Sequence, residues 1–223
     1  MRLGITVDEG SFVELDTDLL SVDSLHFPDY ADKLAQAVAK SGRNEGLVSG
    51  TATIEGTPIA IAVADFTFMG GSMGSVAGEK IARTLERAAV SQMPAVVFCA
   101  SGGARMQEGL FSLMQLAKTN AAVHRCRQSG APYIAIFTDP TMAGVLASYA
   151  SVADIILAEP KAQVGFAGAR VSKQAGVGKV PDDFQTAEYA YRHGMVDRIV
   201  PRRDLRDTLA ALCRMLGGSN GHA

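Results

Sequence analysis

The sequence predicts one α/β domain built on a largely parallel, buried β-sheet. Short β-rich runs alternate with helical patterns over most of the chain, and that alternation implies right-handed crossovers that lay strands side by side in parallel. Two of the runs, Ala95 to Ala100 and Pro132 to Phe137, are apolar throughout, as strands covered on both faces are. A length of 223 residues suits a single core, since cores stop growing only beyond roughly 250 to 300 residues.

The stretch from Met1 to about Ser24 is acidic and mixed, without a sustained period, and reads as an extended arm. His26-Phe27-Pro28-Asp29-Tyr30 introduces a helix in which Tyr30, Leu34, Ala37 and Val38 share a face, with Gly42 as its stop. The runs Leu47 to Ile54 and Pro58 to Phe66 flank Glu55-Gly56-Thr57 and predict a hairpin. Gly70, Gly71, Gly74 and Gly78 then lead into a helix whose apolar face, Ile81, Leu85, Ala88 and Ala89, is suited to packing on a sheet.

The unit recurs. Strand Ala95 to Ala100 turns at Gly102-Gly103 into a helix with Met106, Leu110, Leu113, Met114, Ala117 and Ala121 on one stripe. Strand Pro132 to Phe137 passes through Thr138-Asp139-Pro140-Thr141 into a small-residue helix, Ala143 to Ala150, and then to strand Asp154 to Leu157. Helices near Thr186 to His193 and Leu205 to Leu216 close the chain, the latter with Leu205, Leu209, Leu212 and Leu216 aligned. Gly217 to Ala223 reads as a frayed tail.

A formal net charge of -2 and a pI of about 6.1 leave no global positive field to recruit nucleic acid or an anionic membrane. No apolar stretch approaches the ~20 residues that cross a bilayer, and Met1 to Ser11 lack the pattern of a signal peptide. A cytoplasmic protein is expected. Cys99, Cys126 and Cys213 show neither zinc-site spacing nor a disulfide framework, and read as buried neutral thiols.

Ser101-Gly102-Gly103-Ala104-Arg105-Met106 lies where a buried strand turns toward a helix. Glycines there open backbone angles and leave room for a ligand, and amides at a helix start are unpaired and positively polarised, so an oxyanion hole is feasible. A bare Gly-Gly equally serves a tight turn with no ligand. Thr138-Asp139-Pro140-Thr141-Met142-Ala143-Gly144 is a second such place, at a strand's carboxyl end where open α/β folds hold ligands. There Thr141 or Asp139 also suits a plain helix cap. Phe68-Met69-Gly70-Gly71-Ser72-Met73-Gly74-Ser75 lacks the ending of a phosphate loop, which argues against a nucleotide triphosphatase. It serves either as a hinge or as a substrate contact. No Gly-x-Ser-x-Gly elbow occurs, and the four histidines lie far from the glycine turns, so a nucleophilic triad is not expected. Glu79 and Glu108, one turn into the motifs, read as ion-paired or solvated carboxylates rather than general bases.

Together, Phe68-Met69-Gly70-Gly71-Ser72-Met73-Gly74-Ser75-Val76 with Gly78-Glu79-Lys80, Ser101 to Glu108, Thr138 to Thr141, and Ala158-Glu159-Pro160-Lys161-Ala162 with Gly165-Phe166-Ala167-Gly168 resemble the β subunit of bacterial acetyl-CoA carboxylase carboxyltransferase. The likeness runs from about Ser11 to Leu216 and includes Phe27-Pro28-Asp29-Tyr30. It implies a crotonase-like spiral of β-β-α units, with residues 1–24 as an arm, 25–216 as the carboxyltransferase domain and 217–223 as a flexible tail. It also implies transfer of carboxylate from carboxybiotin to the α carbon of acetyl-CoA or a related short acyl-CoA. In the family the amides of the Ser-Gly-Gly turn stabilise an enolate or a biotin oxyanion, which carried over makes Gly102 and Gly103 the catalytic donors. Gly71, Ser72, Arg105, Thr141 and Gly144 are the expected substrate-binding residues.

With no Met-Lys-Met segment in the sequence, the biotin is expected on a separate carrier protein. An α-type subunit of the same fold, or a second crotonase-fold chain, is the expected partner, with Thr141 to Ala150 as an edge of the contact and an oligomer as the working form. The family's four-cysteine zinc ribbon does not precede the domain here, so no zinc is expected. Two further departures stand out: Ala143-Gly144 replaces the customary Gly-Gly, and Gly168-Ala169-Arg170 the customary Gly-Pro-Arg. They leave open an altered acyl substrate, a biotin-independent thioester decarboxylase or hydrolase using the same hole, and a non-catalytic paralogue that organises a partner.

Overall fold

The structure is a computed structural model that describes residues 2–167 and 180–217. A first turn of helix, α1 (Leu3–Thr6), precedes strand β1 (Val13–Leu15) and helix α2 (Tyr30–Ser41), which stops at Gly42 in the left-handed conformation (φ 68°). Strands β2 (Leu47–Ile54) and β3 (Thr57–Ala64) form the predicted antiparallel hairpin. Its two-residue turn has positive φ at both Glu55 and Gly56, the twist that a right-twisted ribbon needs. Helix α3 (Ser75–Ser91), strand β4 (Ala95–Ser101), helix α4 (Leu110–Ser129) and strand β5 (Tyr133–Met142) follow. After β5 come the short helical turn α5 (Ala143–Val145), an irregular turn through Ala150, and strands β6 (Ile155–Ala158) and β7 (Val164–Gly165). Helix α6 (Ala187–Arg192), strand β8 (Arg198–Ile199) and helix α7 (Leu205–Leu216) complete the described chain.

The strands lie in the order β1-β2-β3-β4-β5-β6-β8, with β7 joining β5. From β3 onward every pairing is parallel. Alternation along the central strands divides the core in two. Val97, Cys99, Ala135 and Phe137 pack under α3 and α4, while Val96, Phe98, Ile134 and Ile136 pack under α7 and the N-terminal turn. This is the parallel, doubly covered sheet that the alternating sequence predicts.

The arm expected over residues 1–24 is corrected in its first part. Leu3 and Val7 are buried in the second core layer, and β1 pairs with β2 through Val13, Glu14 and Leu15. A three-residue strand and a one-turn helix are too short to show a period, so the composition hid them. Of the expected tail, Gly217 ends α7 by donating to the Cys213 carbonyl at 2.8 Å, and residues 218–223 lie outside the described residues, as does the Gly168-Ala169-Arg170 departure.

The larger correction concerns α4. The stripe Leu110, Leu113, Met114, Ala117 and Ala121 faces outward, joined by Phe111 and preceded by exposed Met106. The buried side is Ser112, Gln115, Thr119, Ala122, Val123 and Cys126. Most of the inward polar groups find internal partners: Ser112 Oγ donates to the Arg105 carbonyl, Thr119 Oγ1 to the Gln115 carbonyl and Gln115 Nε2 to the Phe111 carbonyl, while the Gln115 Oε1 is buried without one. Their small bulk lets α3 and α4 approach closely, and a side chain on Gly78 would run into Gln115. Burial here follows size and hydrogen bonding rather than hydrophobicity.

Candidate active site

Strand β4 ends at Ser101, and the chain then runs through Gly102, Gly103 and Ala104 into a 3-10 turn, Met106–Glu108, before α4 starts. The glycine pair therefore does not open a helix, and neither amide is free. Gly102 donates to the Gly70 carbonyl at 2.9 Å and Gly103 to Ser101 Oγ at 3.0 Å. This corrects the assignment of Gly102 and Gly103 as oxyanion donors. The Gly70 carbonyl, brought over the strand end by the 3-10 turn Met69–Gly71, takes the first amide, and the residue before the pair takes the second.

The next amide is different. Met73 donates to the Gly103 carbonyl at 2.8 Å and accepts from the Arg105 amide at 2.9 Å. In such a one-sided pairing the intervening N–H points the other way, and among the described residues the Ala104 amide donates no hydrogen bond. Gly144, at the start of α5, lies beside it: a side chain there would sit 3.4 Å from the Ala104 nitrogen. The first amides of a helix have no intrahelical acceptor. Ala104 and Gly144 thus bring two amides together at the ends of the neighbouring parallel strands β4 and β5, Ala104 half-buried and lining the cleft described below, Gly144 buried behind it. The sequence reading names Gly144 as a substrate-binding residue and does not name Ala104, whose one signal is its position next to the glycines.

Ala143 takes the left-handed conformation itself, with φ of 48°, so the loss of the customary glycine keeps the turn at the expense of local strain. Its methyl group presses on Gly103, where a side-chain carbon would lie 2.7 Å away. Gly103 has φ of 127°, a region closed to other residues.

Among the other expected substrate contacts, Ser72 borders the cleft described below, and Gly71 packs its backbone on Ala100. Thr141 and Arg105 are corrected. Thr141 is wholly buried and its hydroxyl donates within the fold, to the Cys99 and Thr138 carbonyls. Arg105 has a fully buried guanidinium engaged with Glu45, Glu108 and Ser72, so it meets no substrate. Glu108 is ion-paired as expected. Burial pushes its carboxyl up, but hydrogen bonds from Ser75 and Tyr30 and the charge of Arg105 outweigh this and hold it below the usual range.

The cleft that Ala104 lines has a volume of about 630 Å³. Helix α2 supplies one wall with Lys33, Gln36, Ala37 and Lys40; Phe66, Met69, Gly70 and Ser72 line another; Gly102, Ala104, Met106 and Gln107 form the third. Its lining contains two lysines and no carboxylate. A second cavity of about 240 Å³ opens at the ends of β3, β4 and β5, where Arg2, Arg43, Asp65 and Asp139 face it. Among the described residues no group of three or more His, Cys, Asp or Glu side chains could hold a metal ion, and no helix is long and apolar enough to cross a membrane.

An unpaired backbone amide at a strand end beside a cleft that carries two lysines is an arrangement able to stabilise an oxyanion. Residues 1–204 match the model of the carboxyl transferase domain. The chain is 52% identical over 219 residues to the acetyl-coenzyme A carboxylase carboxyl transferase subunit beta of Synechococcus sp. (strain CC9311), covering 97% of this chain and 75% of that protein. It is 51% identical over 218 residues to the same subunit of Citrifermentans bemidjiense, covering 96% and 77%. Among solved structures, a transcarboxylase 12S hexamer with methylmalonyl-coenzyme A bound superposes with a TM-score of 0.78 at 30% identity, over 96% of this chain and 40% of that one. The hetero-dimeric Pseudomonas malonate decarboxylase, at 24% identity, shares the fold with a TM-score of 0.74, over 95% and 83%. The chain belongs to the carboxyl transferase domain family, with its crotonase-like architecture.

Proposed function

We propose that this chain is the carboxyltransferase β-type subunit of a biotin-dependent acyl-CoA carboxylase, acting on acetyl-CoA or a related short acyl-CoA. The observation that carries the reading is the unpaired Ala104 amide in the lining of a cleft with Lys33 and Lys40 in its wall, backed by the buried Gly144 at the neighbouring strand end. When bound on its carrier protein, carboxybiotin supplies both the carboxylate and a ureido nitrogen able to take the acyl α proton. The chain then needs no side-chain base. Its own work is to hold the thioester carbonyl against the Ala104 amide, so that charge growing on the oxygen meets a fixed dipole. Lys33 and Lys40 fit the phosphates of coenzyme A.

The reading extends to a partner of the same fold, which completes the site by covering the outward face of α4. Leu110 is 68% exposed, and Leu113 and Met114 are each more than half exposed, a continuous apolar ridge of the kind that marks an interaction surface. The ridge starts at Met106, which also lines the cleft. The segment Thr141 to Ala150, the edge expected from sequence, is buried apart from Ala147 and half-buried Ala143, so α4 takes its place.

The test combines recombinant chain, an α-type partner and a biotinylated carrier, with labelled carboxyl transfer to acetyl-, propionyl- and butyryl-CoA as readout. Transfer should rise on adding the partner, and Leu113→Asp should abolish that rise without lowering the melting temperature of the isolated chain. Replacing the Ala104 amide by an ester, which deletes one donor and little else, should lower kcat by about 10²- to 10³-fold. No transfer to any of the three would overturn the reading, and turnover of malonyl thioester without biotin would replace it with a decarboxylase.

A further inference from the structure

The segment carrying the Ala104 amide is anchored by a buried cation that lies outside the cleft. The side chain of Arg105 has no solvent exposure. Its Nε donates to Ser72 Oγ at 3.1 Å and one Nη to the Ser72 carbonyl at 2.9 Å. The two Nη groups grip Glu45 at 2.6 and 2.9 Å, a planar fork on a carboxylate. One Nη also reaches Ser21 Oγ at 3.1 Å and Glu108 at 3.3 Å. Glu108 in turn accepts from the Tyr30 hydroxyl at 2.7 Å and from the Ser75 amide at 2.6 Å.

These partners come from different parts of the cleft. Ser72 belongs to one lip and the 102–107 segment to another, while Tyr30 is the first residue of α2, the lysine-bearing wall. Met73 adds main-chain bonds to Gly103 and Arg105. One guanidinium therefore lies at the junction of all three walls.

We propose that Arg105 is a positioning residue: its fork fixes the spacing of the Ser72 lip and the 103–105 segment, and so aims the Ala104 amide and sets the width of the cleft. Lysine cannot substitute. It keeps the charge, but a single ammonium cannot grip Glu45 at two points while also holding both the hydroxyl and the carbonyl of Ser72. An apolar residue would leave Glu45 and Glu108 buried with no countercharge, so lysine is the informative replacement.

The kinetic part of this inference rests on the carboxyltransferase reading; the structural part does not. In the assembled complex Arg105→Lys should lower kcat about 10- to 100-fold, as a small misplacement of catalytic groups does, while KM for the acyl-CoA stays within about threefold. Hydrogen exchange in the isolated chain supplies the second readout. Peptides covering 68–74 and 100–108 should exchange faster together, with β5 and the β2-β3 hairpin unchanged. Ser72→Ala, which leaves the Arg105–Glu45 pair intact, should speed exchange across the gap at 100–108, and decides the matter if Arg105→Lys fails to fold. Unchanged kcat, a rise in KM alone, or faster exchange spread evenly over the sheet would overturn the inference. Should wild-type complex transfer no carboxylate, the functional reading falls, and exchange still decides the role of Arg105.

Discussion

Gly103 and Ala143 meet across the gap between two strand ends, and the contact can be measured as a coupling energy. A side-chain carbon on Gly103 would lie 2.7 Å from the Ala143 methyl, and its next neighbour, the Gly144 nitrogen, 3.7 Å away. Carbon atoms rest about 3.5 to 4.0 Å apart, so Gly103→Ala forces a clash, worth about 1 to 3 kcal/mol as overpacking. The φ of 127° at Gly103 adds a backbone penalty of about 1 to 3 kcal/mol. Ala143→Gly removes a left-handed alanine, a gain of about 1 to 2 kcal/mol, partly offset by about 0.5 to 1 kcal/mol for the extra freedom of glycine in the unfolded chain. In the double variant the clash is gone and only the backbone penalty remains. The four proteins should therefore show a favourable coupling of about 1 to 3 kcal/mol by urea denaturation. By melting temperature, each kcal/mol corresponds to about 2 to 4 °C at this size. Additivity within about 0.5 kcal/mol, or an Ala143→Gly variant less stable than wild type, would refute the argument.

Three further outcomes follow from charge and burial. Glu159 is pushed up by burial but pulled down further by hydrogen bonds from Arg202 and Arg2, to about 2. Its pairing thus stabilises the fold above about pH 4.5 and is lost as pH falls toward 2; Glu159→Gln, which weakens its hydrogen bonds to two arginines, should cost about 1 to 3 kcal/mol at pH 7, a gap that closes in acid denaturation series over that window. Burial raises the thiols of Cys126 and Cys213 to about 11, and that of Cys99 further still, so a thiol-reactive dye at pH 7.5 should label none of them until the chain is unfolded. Lys33→Glu with Lys40→Glu should raise KM for the acyl-CoA about tenfold or more at low salt, with a smaller effect at 0.5 M salt, where charges are screened within about 4 to 5 Å; an effect independent of salt would remove the lysines from the binding site.

Periodicity and turn residues revealed the hairpin, the parallel strands and the glycine turns, because each depends on a local preference: Gly56 at a left-handed turn position, or an unbroken apolar run at Ala95 to Ala100. The motif residues that failed did so for non-local reasons. Nothing near Gly102 in sequence announces that the Gly70 carbonyl occupies its amide, since the acceptor arrives from an earlier loop. Arg105 reads as a ligand group beside a glycine pair until Glu45, sixty residues earlier, is seen to hold it. The α4 stripe was legible as a stripe but not in its direction, because hydrophobic spacing defines a face without saying what it meets.

The outward ridge of α4 also bears on a copy of the chain that has found no partner. Leu110, Phe111, Leu113 and Met114 then stay in contact with water, offering a sticky strip to any holdase chaperone or to another such copy. Solubility of the lone chain should fall with concentration and recover when that strip is made polar. In a cell, surplus copies would be held or degraded while assembled ones escape, so the amount of this chain would follow the supply of whatever covers α4, with no regulator needed to match the two.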